Sequence, residues 1–217
     1  MVAYGFGDAG TGLAATLLGF YLFPFFTCAA GLPAFIAGSL FTVIKVWDAL
    51  NDPLIGWMSD HTQSRWGPRL PWMLGASLPL GISLAAMWWV PEGTVLQRTI
   101  YYVVMAILLM TAYTGVNLPY AALSTELTTD TAIRTRLNAA RFTGSILAGT
   151  MGLVVAFLVL REGGGGYILM GQIAGTIAAI TTLLCCWGLA PFAKQAQRPS
   201  GNNETPLQQF GRIRTNP

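Results

Sequence analysis

Apolar positions in this chain fall into six long runs separated by short polar links, the pattern of helices that cross a bilayer. The runs cover about 10–28, 34–58, 71–90, 99–123, 138–160 and 167–192. Each is close to the roughly 20 residues needed to span a hydrocarbon core. Polar links at 59–70 and 124–137 follow the second and fourth runs, and a glycine turn at 163–166 precedes the sixth. Residues 193–217, rich in Gln, Asn, Pro and Arg, read as a cytoplasmic linker or tail.

Composition sharpens this pattern into a class. Hydrophobic residues make up 53% of the chain and charged residues only 10%, against roughly a quarter charged in soluble domains. The expected fold is an all-α membrane protein with six transmembrane helices. The start shows neither the basic leader nor the small-residue cleavage site of a signal peptide. Cys28, Cys185 and Cys186 lie in or beside apolar runs, so they read as small core residues and not as a disulfide or zinc framework.

Charge sets the orientation. The two links carry Arg65, Arg69, Arg134 and Arg136, and the tail adds Lys194, Arg198, Arg212 and Arg214. The opposite side has only Arg98 and Arg161. Loops rich in Lys and Arg stay inside, so both termini are expected in the cytoplasm, in a plasma (inner) membrane. Because the basic residues follow membrane topology, no nucleic-acid partner is suggested.

The candidate chemistry lies in the second run. Lys45, Asp48 and Asp52 fall on one stripe of a helix, with Asn51 beside it. Charges at that depth are costly in lipid, so the stripe should face a polar cavity or another helix. Two carboxylates one turn apart, with an amide beside them, suit a small hard cation. This outweighs the alternative of a Lys–Asp pair that merely locks two helices. Pro53 and Pro119 each remove a backbone donor and free a carbonyl, for a ligand or for a neighbouring helix. Most glycines of the runs need no more than close helix packing to account for them.

Gly56, Asp60, Arg65, Gly67 and Arg69 form a spaced set at the first link, where Asp60 can hold arginines of a neighbouring link as a charge latch. No Ser/His/Asp, Cys/His or metal-ligand cluster is visible, and the only histidine, His61, lies in the link, so an enzyme is not expected.

The run Trp47-Asp48-Ala49-Leu50-Asn51-Asp52-Pro53, followed by Gly56, Asp60, Arg65-Trp66-Gly67 and Pro71-Trp72, resembles the glycoside–pentoside–hexuronide:cation symporter family of the major facilitator superfamily. So do the opening Tyr4-Gly5-Phe6-Gly7-Asp8, the stretch from Gly115 to Leu123, and Arg141-Phe142. The resemblance implies an amino-terminal facilitator bundle whose Asp48, Asn51, Asp52 and Thr114 hold the coupling cation, Na⁺, Li⁺ or H⁺. Asp48 and Asp52 would be the metal ligands if that cation is Na⁺. It implies no other cofactor. Arg141 matches a sugar-binding position.

Two departures bear on the solute. The acids that bind galactosides in the family fall here near Gly12 and at Asn117, and Ala121 replaces a tryptophan that contacts the sugar ring. These point away from a galactoside. Tyr113 and Tyr120 are candidates to stack on a solute or to pack, and Lys45 to act as a counter-ion in the empty site.

The implied function is alternating-access symport of a cation with a small-molecule solute, a sugar or glycoside-like compound. The chain would be half of a transporter, in contact with membrane lipid and with a second six-span half on the same or another chain. A lysolipid carrier of the same superfamily and an unpaired half acting as a membrane assembly module are the alternatives.

Overall fold

The computed structural model describes residues 6–128, 130–161 and 165–193. The residues of the tail, with Lys194, Arg198, Arg212 and Arg214, and Tyr4 and Gly5 lie outside the described residues. Six long helices carry the fold, and there is no strand among the described residues. A single 3-10 turn, Phe6–Asp8, leads into α1 (Ala9–Pro24), which continues through a π-helical turn at Phe25–Ala29. Then come α2 (Ala34–His61), α3 (Leu70–Met87), α4 (Val95–Leu127), α5 (Thr131–Arg161) and α6 (Gly166–Ala193). All six are long and apolar enough to cross a membrane.

Helix ends depart from the apolar runs for local reasons. Helix α4 begins at Val95, ahead of the apolar run, because Thr94 and Gln97 form a reciprocal capping box. The Thr94 amide donates to Gln97 Oε1 at 2.8 Å and the Gln97 amide to Thr94 Oγ1 at 3.4 Å. Helix α5 begins at Thr131, so its first two turns are the polar residues of the second link. Hydropathy marks the part of a helix that suits lipid, whereas the backbone hydrogen bonds continue into the polar zone.

Helices α3 and α6 pack most extensively, followed by α3 with α4, α1 with α5, and α2 with α4. The α3–α6 approach is close: a Cβ at Gly81 would lie 2.6 Å from the Gly175 carbonyl oxygen. Only residues without side chains allow that spacing. An aromatic knot closes one end of the bundle, with Phe25, Phe26, Trp88 and Tyr102 fully buried. Phe26 and Tyr102 ring centroids are 4.9 Å apart, and Phe25 meets Trp88 edge-on at 5.3 Å. Arg98 ties two turns together at that end, donating to the Ala30 carbonyl at 2.9 Å and to the Pro91 carbonyl at 3.2 Å. A second apolar cluster, including Leu70, Met73, Tyr120, Leu123 and Leu189, lies toward the link end.

Helices α2 and α5 carry the most outward apolar surface. Phe35, Leu50 and Leu54 project from α2, and Phe142, Ile146 and Met151 from α5, each more than half exposed. That much apolar surface suits lipid or apolar helices and would be a liability in water.

Candidate cation and solute site

Three hydrogen bonds join α2 to α4 along the stripe. Trp47 Nε1 donates to Thr111 Oγ1 at 3.0 Å, Asn51 Nδ2 to the Met110 carbonyl at 3.5 Å, and Thr114 Oγ1 to Asp52 Oδ1 at 3.0 Å. Thr111 and Thr114 are three residues apart, so they share a face of α4. Asn51 and Thr114 are buried, whereas Asp52 and Asp48 are half-buried. Asp48 has no hydrogen-bond partner among the described residues, although it lies within electrostatic reach of Asp52 and Lys45. Pro53 leaves the Ala49 carbonyl without its helical donor on the same stretch.

The Lys–Asp lock is not formed. Lys45 is exposed, and among the described residues it makes no ion pair with either carboxylate. The charge stripe therefore presents one carboxylate held by Thr114 and a second left open, a set that can offer several oxygens to a small cation.

A second polar network lies one turn further along α4. Arg141 of α5 donates from Nη2 to Asn117 Oδ1 at 2.8 Å and from Nε to Asp8 Oδ2 at 2.9 Å. Asn117 Nδ2 donates to the Tyr113 hydroxyl at 3.4 Å. Asp8 is 5% exposed, and its other oxygen accepts from Thr11 Oγ1 at 2.5 Å. Thr114 and Asn117 occupy successive turns of one helix, so α4 joins the cation residues to the Arg141 network. The Tyr113 hydroxyl lies within electrostatic reach of Asp8, Asp48, Asp52 and Arg141, and so sits between the two sets.

Not every candidate residue joins these sets. Tyr120 is fully buried in the link-end cluster, with the Arg141 guanidinium 5.3 Å from its ring centroid, so it packs and offers no open face to a solute. Gly12 faces α5 closely: a Cβ there would lie 2.8 Å from the Ser145 Cα, which leaves no room for an acid at that position. Asp8 is the member of the Arg141 network that sequence reasoning did not single out as a site residue. The signal was its unpaired charge beside an apolar run, matched by the lone arginine inside the fifth. Two apolar clefts of about 440 and 430 Å³, bordered by Trp187 and by Tyr167 respectively, are lined by none of these polar residues.

At the link, Asp60 pairs with Arg69 of the same link, and Arg69 Nη1 also donates to Ser59 Oγ at 2.8 Å. The latch expected to reach a neighbouring link is formed within the first link instead, where it joins the end of α2 to the start of α3. Gly67, with φ +83°, makes the turn that brings Arg69 back. Gly56 packs under Leu118 of α4, and Arg65 lies over the Trp66 ring at 4.8 Å.

Fold and site together define an integral membrane protein of the transporter type: six helices long and apolar enough to span, with ionisable groups packed between them. A family model described as MFS/sugar transport protein matches residues 3–216. The chain belongs to this family, as an amino-terminal bundle of a glycoside–pentoside–hexuronide:cation symporter of the major facilitator superfamily. It is 46% identical over 164 residues to an uncharacterized symporter of Synechocystis sp., covering 73% of this chain and 30% of the relative. It is 31% identical to a glucuronide carrier protein homolog of Escherichia coli, covering 73% and 34%. It is also 29% identical to an isoprimeverose transporter of Lactiplantibacillus pentosus, covering 82% and 39%. The chain thus spans about a third of the length of these relatives. They are named as symporters, carriers or transporters, so the family is one of transporters and not of enzymes.

Proposed function

We propose that this chain forms the cation-binding half of a secondary transporter that moves a sugar or glycoside-like solute together with Na⁺ or H⁺ by alternating access. The observation that carries the reading is the pair Asp48 and Asp52 on one turn of α2, with Thr114 of α4 donating to Asp52 and Asp48 without a hydrogen-bond partner among the described residues. A monovalent cation bound between them offsets one of two negative charges that are costly inside the bilayer. The loaded site is then easier to carry through the closed state, and the solute adds the differential contact that favours closure. The relatives' printed solutes, a glucuronide and isoprimeverose, support a sugar. Polar groups on Arg141, Asn117 and Tyr113 suit a polyhydroxylated molecule better than an alkyl chain.

The outward apolar faces of α2 and α5 leave room for a second six-helix half, with membrane lipid on the remainder. The arginines of the two links support a cytoplasmic position for those links, in a plasma membrane. Asp52→Asn tests the assignment: cation-dependent uptake is lost while the protein still inserts at normal levels. Uptake that keeps its full cation dependence in this variant overturns it.

A further inference from the structure

Asp8 occupies the position that caps α1, where an aspartate ordinarily accepts from the first free amides of the helix. Its side chain makes no such capping bond. It is turned instead to Arg141, which belongs to a helix more than a hundred residues away in sequence, and to Thr11. The side chains of Asp8 and Arg141 are 8% and 14% exposed, so the pair is formed away from bulk water. The α1 N-terminus adds a favourable field for the carboxylate. Arg141 also donates from Nη2 to Asn117 and lies over the rings of Tyr120 and Phe142. Nothing else among the described residues brings a full positive charge to this network.

Resting on the sugar-symporter reading, we infer that Asp8 sets the charge class of the solute: with Arg141 already neutralised, the site takes an uncharged sugar and rejects one that carries a carboxylate. A uronate would have to displace Asp8 from the guanidinium, leaving a buried carboxylate unpaired, or sit beside Asp8 as a like charge. An uncharged sugar meets neither obstacle. It can accept from Nη1 of Arg141, which has no partner among the described residues, and from the Asn117 amide, and donate to the Tyr113 hydroxyl oxygen. Asp8 is thus a specificity-determining residue that acts through Arg141.

The test is equilibrium binding to the full-length protein in detergent, with 4-nitrophenyl β-glucoside, 4-nitrophenyl β-xyloside and 4-nitrophenyl β-glucuronide as probes. The unaltered protein binds a neutral glycoside at least about tenfold more tightly than the glucuronide. Asp8→Asn frees the Arg141 charge and reverses or abolishes that preference. Asp8→Glu, which keeps the charge, retains it; a purely structural role for Asp8 would change affinity for all probes alike. Glucuronide bound as tightly as the neutral glycosides by the unaltered protein overturns the inference and leaves the sugar reading standing, and this arm decides even if Asp8→Asn does not fold. An Asp8→Asn protein with unchanged preference also overturns it. Binding of none of the three probes overturns the sugar reading and this inference with it.

Discussion

Thr114 gives Asp52 a hydroxyl donor from the neighbouring helix at 3.0 Å, and the residue is itself buried. A hydrogen bond to a charged group contributes about 1.5–3 kcal/mol. Thr114→Val keeps the shape and removes the donor, so the cation concentration for half-maximal uptake should rise by roughly tenfold or more. Thr114→Ser should restore it. The check is uptake measured against cation concentration; an unchanged midpoint in the valine variant would remove Thr114 from the site. At this scale the sequence was most legible where chemistry was costly. Asp48, Asn51 and Asp52 stood out because charges and an amide interrupt an apolar helix. Asp8 entered only as part of the opening run Tyr4-Gly5-Phe6-Gly7-Asp8, because a single aspartate just ahead of an apolar run has no partner in the local pattern. Its pairing with Arg141 depends on how α1 and α5 meet, which no local pattern encodes. Tyr120 carried two open readings, stacking and packing, and only its complete burial decides for packing.

Among the elements, helix–helix spacing is set by residues with little or no side chain. The α3–α6 contact is the most extensive in the bundle and passes through Gly81 and Gly175. Gly81→Leu forces those helices apart, since the leucine stem would occupy the space of the Gly175 backbone. The expected result is a destabilisation of about 1–3 kcal/mol, read as a lower Tm in detergent. The substitution touches none of the cation residues, so uptake per folded molecule should be retained. A Tm equal to that of the unaltered protein would show that the contact is looser than described. The number of helices was legible from hydropathy, because each apolar run had to be a backbone-satisfied span. Their ends were not. The capping box at Thr94 and the polar first turns of α5 extend helices beyond the lipid-suited stretch, where hydropathy no longer reports on structure.

At the scale of the whole molecule, the two polar networks share one helix. Thr114 serves Asp52 and Asn117 serves Arg141, one turn apart on α4, so movement of α4 bears on both. Under the proposed symport, this would give coupling a short physical path between the cation and the solute. In the latch Asp60 is exposed and the Arg69 side chain is mostly buried, so water screens the pair from one side and its net contribution to stability is modest. If the proposed alternating access holds, its place at the α2–α3 turn suits a contact that forms and breaks during the cycle. The most direct measurement of the central claim is solute accumulation by the full-length protein in sealed vesicles, with an inward Na⁺ gradient or an inward H⁺ gradient imposed in turn. Cation-coupled symport predicts accumulation above the external concentration under at least one gradient, collapsing when an ionophore dissipates it. Equilibration to the external concentration and no further, under both gradients, would contradict the account.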